Sequence, residues 1–330
     1  ENPFQPPRDF VEDLAATVLE VAKTLNRYPD RDAMRLRTAL AAYLAEESET
    51  PGIVAEQIWV GNGSNEVMMH VMQAFAGPGR TALTFSPTYS MYAEYARNTF
   101  TEFVTVPRRA DHTVDAKLAV EAVRDLRPAV VFLASPNNPT GTAQSLDVVP
   151  AMLDAFDGML VIDEAYAEFR RVGVGSAVSL VERHPRLVVT RTMSKAFGFA
   201  GARVGYLIAH PDVVDALRIV RLPYHLSSLT QAVALTALQH TSALQAQVQM
   251  LRAERNALVD WLSDEGYTTT PSDANFVMFG KFDDRQSAWQ GLVEQGVLVR
   301  EVGPEGFLRV SIGTAAEMER FKEALKKVGH

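Results

Sequence analysis

Short β-rich runs alternate with helical stretches between residues 57 and 208, and this alternation constrains the fold more than any other feature. Most neighbouring runs are separated by a segment long enough for a helix, which is typical of a parallel sheet covered by helices on both faces. Only about a dozen residues join the sixth run to the seventh, so we expect that last pair to be antiparallel. The seven predicted strands lie at 57–60, 81–85, 101–106, 129–134, 159–163, 187–191 and 204–208.

Helical patterns flank this alternating region on both sides. On the N-terminal side they cover residues 9–25, where Asp9 and Glu12 are spaced like a capping box, and residues 31–48. After the seventh run, residues 227–262 are almost wholly helical. The alternating region is therefore enclosed by helices in the sequence as well as interrupted by them.

The C-terminal part has the character of a separate, smaller unit. It combines predicted strands at 275–279, 297–301 and 307–312 with predicted helices at 287–296 and 315–329. The predicted architecture is an α/β chain with a large domain over residues 27–240. A smaller α+β domain would contain residues 1–26 and 241–330, and two domains suit a chain of 330 residues.

Composition excludes several classes of protein. A formal net charge of −8 argues against a nucleic-acid partner. Cysteine is absent, which excludes disulfides and thiolate metal sites and suits a reducing compartment, so we expect a cytoplasmic protein. The histidines form no H-x-x-x-H pair, so we expect no metal centre. No apolar run has the length of a membrane span and no signal peptide opens the sequence, so no membrane association is predicted.

Polar residues follow several of the predicted strands at the point where each strand ends. Residues 61–66 (GNGSNE) follow the first strand and open a helix, and residues 87–89 follow the second. Residues 135–141 (SPNNPTG) follow the fourth strand, Asp163 ends the fifth, and residues 194–195 follow the sixth. Ligands of open α/β sheets bind outside the carboxyl ends of the strands. The five clusters therefore predict one site at that edge of the sheet.

Each cluster also has an ordinary structural interpretation. Residues 63–65 could simply cap a helix, SPNNPTG could be a plain turn, and Lys195 could reach water from a loop. The G-x-G of residues 61–63 lacks the third glycine of a dinucleotide site. The strand end LVIDEAY is similar to the acidic strand end of an ATPase, but no G-x-x-x-x-G-K-[ST] phosphate loop occurs anywhere.

The combination of Lys195, Asp163 and Arg203 near a phosphate-binding helix terminus suits pyridoxal phosphate. This cofactor needs a lysine that bonds to it covalently and an acidic partner for its ring nitrogen, which Asp163 would keep protonated. Arg203 would bind the phosphate through two parallel N–H donors. Three further residues could contact the ring, two at its oxygen and one on its face: Asn138, Tyr166 and Tyr89.

Three motifs together resemble the fold-type I pyridoxal-phosphate aminotransferases of the aspartate aminotransferase superfamily. They are SPNNPTG at 135–141, DEAY at 163–166 and SKAFGFAGARVG at 194–205. Within that superfamily the sequence is similar to the histidinol-phosphate aminotransferases over essentially its whole length, in motifs such as NRYPD, GNGSNE, SPTYSMY and FLRVSIGT. The resemblance implies PLP-transferase fold type I: a seven-stranded, mostly parallel sheet with one antiparallel strand between helices, a smaller α+β domain, and a homodimer.

The resemblance also implies a role for each matching residue at the cofactor. Lys195 becomes the Schiff-base lysine and Asp163 the partner of the ring nitrogen. Asn138 and Tyr166 become the contacts of the phenolate oxygen, and Tyr89 the stacking ring. The phosphate cup would be formed by Ser64, Asn65, Thr192, Ser194 and Arg203. Tyr28, in NRYPD, would reach the cofactor phosphate from the neighbouring subunit.

For the substrates, the resemblance implies that Arg309 holds the carboxylate of glutamate and, in the other half-reaction, the phosphate of histidinol phosphate. Arg300 would be a second anion contact, and Tyr224 and Asn275 further substrate contacts. The implied reaction is a ping-pong transfer of an amino group between L-histidinol phosphate and 2-oxoglutarate. Two alternatives stay open, an aromatic amino-acid aminotransferase and an amino-acid phosphate decarboxylase of the same fold. A non-catalytic regulator is disfavoured because Lys195 is intact.

Overall fold

The computed structural model describes residues 2–329, and its centre is a seven-stranded sheet. In spatial order the strands are β1, β7, β6, β5, β4, β2 and β3. The seventh strand is antiparallel to both of its neighbours, and the remaining adjacent pairs are parallel. The predicted fold class, including its one antiparallel strand, is confirmed. In chain order the strands are β1 Ile58–Gly61, β2 Thr81–Ser86, β3 Glu102–Pro107, β4 Val130–Ala134, β5 Met159–Asp163, β6 Leu187–Thr192 and β7 Gly205–Ala209.

Eleven helices are present in the part of the chain that the structure describes. Seven precede or separate the strands of the large sheet, or directly follow its last strand: α1 Arg8–Ala22, α2 Met34–Glu47, α3 Ser64–Phe75, α4 Met91–Asn98, α5 Ala116–Leu126, α6 Val148–Leu153 and α7 Pro211–Val220. Four follow in the C-terminal third: α8 Ser228–Gln239, α9 Thr241–Asp264, α10 Arg285–Glu294 and α11 Ala315–Val328.

Helices cover both faces of the large sheet. On one face, Phe132 and Val161 belong to a core shared with α3, α4 and α7. On the other face, Leu133 and Ile162 belong to a core shared with α2, α5 and α6. Strands buried on both faces are expected to be continuously apolar rather than alternating, and all five residues of β4 and of β5 are buried. This double coverage leaves the strand ends as the places where polar side chains can meet.

The C-terminal unit contains a three-stranded antiparallel sheet in the order β10, β9, β8. Its strands are β8 Thr268–Thr269, β9 Phe276–Gly280 and β10 Phe307–Ser311. Two of the strands predicted here are confirmed, and the two-residue strand β8 was not predicted. The prediction of a strand at 297–301 is wrong, because that segment contributes only an isolated bridge between Arg300 and Arg309.

The first helix begins differently from its prediction. It starts at Arg8, directly after Pro7, and no side chain caps it. Glu12 forms an ion pair with Arg8 at 2.7 Å instead of bonding back to a capping residue. Along its length α1 packs on α8, where the hydroxyls of Thr17 and Thr236 are 2.9 Å apart. The division into a domain of residues 27–240 and a second of 1–26 with 241–330 stays a prediction.

Candidate active site

The polar clusters meet in a cleft of about 750 Å³ at the carboxyl ends of the parallel strands. Ala134 pairs with Asp163 and Asp163 with Thr190, so β4, β5 and β6 end side by side. On the opposite side, β10 and the loop before it close the cleft. The predicted site residues that line it are Ser64, Asn65, Tyr89, Asn138, Asp163, Tyr166, Thr192, Ser194, Lys195, Arg203, Arg300 and Arg309.

Asp163 is a buried carboxylate at the end of β5. It accepts a hydrogen bond of 2.8 Å from the hydroxyl of Tyr92 and others from the backbone of Ala165 and the hydroxyl of Thr190. All three of these donors are uncharged. Burial raises the pKa of Asp163 above its usual range, with these hydrogen bonds opposing the rise. A cationic partner in the cleft would therefore stabilise the ionised carboxylate.

Two glycines allow the backbone at the N-terminus of α3 to pack closely against its neighbours beside the cleft. Gly63 has φ +88°, and a Cβ there would lie 2.5 Å from the guanidinium of Arg203. A Cβ on Gly205 would lie 2.0 Å from the backbone nitrogen of Ser64. Glycine at both positions lets the first turn of α3 and Arg203 face the same space. Unpaired N–H groups of a first helical turn favour an anion there.

Two hydroxyls from the end of β6 complete this part of the site. The hydroxyls of Thr192 and Ser194 are 3.0 Å apart, and both residues are buried. The next residue, Lys195, lines the cleft while Ala196 and Phe197 behind it are fully buried. The backbone oxygen of Lys195 accepts hydrogen bonds from Asn2 and Gly198, which fix the turn that carries it.

Two tyrosines stand in the cleft with protonated hydroxyls. Burial raises the pKa of Tyr166 to about 12, and burial also raises the pKa of Tyr89. The ring of Tyr166 meets Phe276 edge-on at 5.1 Å, and that of Tyr89 meets Tyr92 edge-on at 5.6 Å. The packing holds each ring in place, and each hydroxyl is protonated at neutral pH and can donate a hydrogen bond.

Arg309 is a half-buried arginine on β10 with donor capacity to spare. Its Nη1 donates to the side-chain oxygen of Asn138, and its guanidinium lies 4.6 Å from the ring centre of Phe276. Its Nε is buried and has no hydrogen-bond partner. Burial lowers the pKa of Arg309, and the charge of Arg300 lowers it further. An orphaned buried donor facing a cleft indicates a site for an anionic ligand.

Arg300 stands directly opposite Arg309. The two residues exchange both backbone hydrogen bonds, each 2.9 Å long, so their side chains lie on the same face of the sheet. Neither forms an ion pair with a carboxylate in residues 2–329. Like charges at directly opposed positions are destabilising, and an anion between them would reverse the sign of that interaction.

Three predicted site residues do not line the cleft. Tyr28 is 81% exposed, and its ring stacks on Tyr224 of the same chain at 4.5 Å. Asn275 is buried just before β9, where its backbone oxygen accepts from Ile312. The two tyrosines therefore form a pair on the outside of the subunit.

Sequence reasoning missed three residues of the site. Tyr92 bonds to Asp163, and its only signal is its position one helical turn after Tyr89 in SPTYSMY. Arg285 and Glu301 also line the cleft and are 3.2 Å apart. No local pattern marks either of them, because they come from separate elements that meet only in the folded chain.

The fold and the cleft are those of an aminotransferase. The family described as aminotransferase class I and II matches residues 1–325, and the chain belongs to this family. Among its relatives, the histidinol-phosphate aminotransferase of Thermobifida fusca is 56% identical over 325 residues, which cover 98% of this chain and 87% of the relative. Histidinol-phosphate aminotransferase 3 of Burkholderia lata is 54% identical, and the match covers 99% of this chain and 88% of that relative. The chain is therefore a transferase enzyme.

Solved structures agree with the fold. Histidinol-phosphate aminotransferase from Sinorhizobium meliloti, in complex with pyridoxal-5'-phosphate, superposes with a TM-score of 0.85 at 25% identity. The superposition covers 99% of this chain and 88% of the Sinorhizobium meliloti chain. Thermus thermophilus aspartate aminotransferase with maleate has the same fold at a TM-score of 0.83 and 24% identity, with 100% and 90% covered. Within residues 2–329, none of the helices combines the length and apolar composition that a bilayer-spanning helix requires.

Proposed function

We propose that this enzyme transfers an amino group between L-histidinol phosphate and 2-oxoglutarate, giving imidazole-acetol phosphate and L-glutamate, a step of histidine biosynthesis. The observation that carries the proposal is the placement of Lys195 and Asp163 in one cleft with the opposed pair Arg300 and Arg309. The names of the relatives support the same reaction. We place the reaction in the cytoplasm, in keeping with a chain that contains no cysteine.

The residues present fit pyridoxal 5'-phosphate. The close approach of Gly63 and Arg203 at the start of α3 offers room and donors for its phosphate, while Asp163 offers a buried carboxylate oriented by Tyr92. When bound, this cofactor carries the amino group from donor to acceptor and withdraws electrons from the reacting carbon. The proposed phosphate cup consists of Ser64, Asn65, Thr192, Ser194 and Arg203.

The ring-binding residues have distinct tasks in this proposal. Lys195 would hold the cofactor covalently and, when an amino donor displaces it, its free amine would move the proton of the substrate's α-carbon. Asp163, oriented by its hydrogen bond from Tyr92, would keep the ring nitrogen protonated. Asn138 and Tyr166 would donate to the ring oxygen, and Tyr89 would pack against the ring face.

Arg309 and Arg300 bind the anionic groups of both donors. Arg309 is held by Asn138 and keeps a free Nε, so it can meet a carboxylate in one half-reaction and a phosphate in the other. Arg300 adds the second guanidinium. Asn275 is proposed as a further substrate contact, although it lies behind the cleft wall.

A second copy of the chain would complete each site. Ile219, Leu222 and Tyr28 are 84%, 77% and 81% exposed, which is unusual for large apolar side chains and favours burial against a partner. The ring of Tyr28 stacks on that of Tyr224, which is also exposed. We propose a two-fold homodimer in which this tyrosine pair reaches the cofactor phosphate and substrate of the neighbouring subunit.

A panel of donors tests the proposed reaction. Purified enzyme with pyridoxal phosphate is given 2-oxoglutarate and either histidinol phosphate, phenylalanine or threonine phosphate, and glutamate is measured. The highest kcat/KM is expected for histidinol phosphate. A preference for phenylalanine would make the enzyme an aromatic aminotransferase, and release of carbon dioxide without any keto acid would make it a decarboxylase.

A further inference from the structure

The wall of the cleft opposite Lys195 carries two charged residues to which the proposed function assigns no role. Arg285 is the first residue of α10, and Glu301 follows Arg300 in the loop before β10. Both line the cleft together with Arg300 and Arg309. Three guanidiniums and one carboxylate thus share this wall, which leaves two positive charges in excess.

Arg285 is held in place and still has donors to give. Its Nε lies 3.2 Å from a carboxylate oxygen of Glu301, and its Nη1 donates to the backbone oxygen of Pro304 at 3.2 Å. In the described chain its Nη2 has no hydrogen-bond partner, and its side chain is 26% exposed. A guanidinium has five N–H donors, so most of those on Arg285 remain for a ligand.

The two donors of the proposed reaction differ in the anion they present. A phosphate monoester carries nearly two negative charges at neutral pH and three acceptor oxygens, whereas a carboxylate carries one charge and two oxygens. In histidinol phosphate a methylene and an oxygen separate the phosphorus from the amino-bearing carbon. In glutamate the α-carboxylate is bonded to that carbon directly. The phosphate therefore reaches farther into the small-sheet wall than the carboxylate does.

We propose that Arg285 determines specificity by binding the phosphate of histidinol phosphate and not the α-carboxylate of glutamate. Glu301 is its counter-ion when the carboxylate substrate occupies the cleft, and the phosphate competes with Glu301 for the guanidinium. The inference rests on the proposed function and deepens it, because it explains how one cleft serves both anions. Both donors bind to Arg309, whereas only the phosphate of histidinol phosphate reaches Arg285.

Two variants of the holoenzyme separate this role from a structural one. Arg285→Gln removes the guanidinium, and Glu301→Gln breaks the ion pair while keeping the guanidinium. Each half-reaction is followed alone, from the absorbance of the cofactor, with histidinol phosphate or with glutamate. Arg285→Gln is expected to weaken the binding of histidinol phosphate roughly tenfold or more, as for a lost hydrogen bond to a charged group. The binding of glutamate is expected to change by no more than about twofold. Glu301→Gln is expected to bind histidinol phosphate at least as tightly as the wild type.

Arg124→Gln provides the matched control. Arg124 is exposed on α5 outside the cleft, and its substitution changes the net charge by the same amount as Arg285→Gln. Equal losses with both donors in Arg285→Gln would overturn the inference. A loss in Glu301→Gln that matches the loss in Arg285→Gln would also overturn it, because the pair would then only anchor the loop at Pro304.

Inorganic phosphate separates a failure of this inference from a failure of the proposed function. Calorimetric titration of the holoenzyme should show binding of phosphate that is weakened by Arg285→Gln, with acetate binding unaffected. If the wild type turns over no histidinol phosphate but Arg285→Gln still weakens phosphate binding, the proposed substrate is wrong and Arg285 remains a phosphate residue. Equal phosphate binding by both proteins, or none by the wild type, contradicts the role of Arg285.

Discussion

At the scale of single residues, the site depends on charges placed where few neighbours satisfy them. Asp163 is a buried carboxylate, and Arg309 is half-buried with a buried Nε that has no hydrogen-bond partner. Leaving a buried polar atom without a partner costs folding free energy, on the order of 1–3 kcal/mol. Both groups face one cleft, so a ligand that carries a cationic N–H and an anion would satisfy them together.

The lysine assignment predicts a single site of covalent labelling. Borohydride reduction of the holoenzyme should fix the cofactor to the peptide that contains Lys195. Lys195→Ala should lose the label and nearly all turnover, while its circular dichroism spectrum and cooperative unfolding remain. Lys117 and Lys281 are internal controls in the same digest, and a label on either of them would refute the assignment.

Arg309→Lys keeps the charge and loses the planar fork. If one guanidinium serves both anions, both half-reactions should weaken, by about 1.5–3 kcal/mol in transition-state stabilisation, because hydrogen bonds to charged groups are lost. The measurement is kcat/KM for glutamate and for histidinol phosphate in separate half-reactions. A loss confined to glutamate would show that another cation, Arg300 first, carries the phosphate.

At the scale of elements, a buried ion network joins α2, β6 and the segment after β5. Arg191 on β6 is fully buried and contacts Glu164 at 2.8 Å, Glu47 at 3.0 Å and Glu168 at 3.4 Å. It shares its strand with Thr190 and Thr192, which face the cofactor side. The network therefore anchors the strand that leads to the predicted catalytic lysine.

Glu168 in this network predicts a pH dependence of stability. Burial raises its pKa to about 7, with Arg191 opposing the rise and Glu47 adding to it. Tyr43 donates a hydrogen bond of 3.2 Å to it, and Arg170 and the buried Tyr206 also interact with its charge. The folded state thus binds more protons than the unfolded state between about pH 4.5 and 7. The contribution of Glu168 to stability is then fully present below its ordinary pKa and lost as the pH rises through 7.

The test compares Glu168→Gln with the wild type in urea unfolding at several pH values. The wild type should lose on the order of 2–3 kcal/mol from this group between pH 4.5 and 8, and the variant should lack that part of the slope. Glu121→Gln, on the exposed side of α5, is the matched control. Parallel pH profiles for Glu168→Gln and wild type would mean that folding does not raise the pKa of Glu168.

Elements also show what the sequence could and could not predict. The central strands of the large sheet were predictable because burial on both faces makes them continuous apolar runs, as in β4 and β5, whereas the edge strand β3 is partly exposed. Residues 297–301 have the same local character, yet they pair only at Arg300 before the chain turns away along the cleft. The expected capping box failed because the helix begins one residue earlier, at Arg8, which puts Asp9 inside the first turn and gives Glu12 another partner.

The same distinction holds within the site. Lys195, Asp163 and Asn138 were predictable because each lies at a strand end, where the sheet itself brings polar residues together. Tyr92 and Arg285 were not, because two helices, α4 and α10, bring them in from other parts of the chain. Their partners depend on how elements pack, and no local spacing encodes that.

At the scale of the whole molecule, the proposed dimer predicts that two defective chains can restore a site. Tyr28→Phe is mixed with Lys195→Ala under conditions of proven subunit exchange. If Tyr28 acts in the neighbouring subunit, each heterodimer has one site with both defects and one with neither. Activity of the mixture should therefore exceed the average of the two homodimers.

The size of the effect follows from what each homodimer retains. Tyr28→Phe should be mildly impaired, since it loses one hydroxyl, and Lys195→Ala severely impaired. A mixture of Lys195→Ala with wild type gives the control for exchange alone. Activity equal to the weighted mean in the Tyr28→Phe mixture would place Tyr28 in its own subunit's site or in none.

The most direct test of the whole account is the first half-reaction, measured without any amino acceptor. Histidinol phosphate alone should convert the cofactor of the purified enzyme to its aminated form, visible as a complete change in absorbance. Adding 2-oxoglutarate should then restore the original spectrum and produce one equivalent of glutamate per subunit, as ping-pong transfer requires. The account is contradicted if histidinol phosphate leaves the spectrum unchanged while phenylalanine converts it, or if carbon dioxide is released.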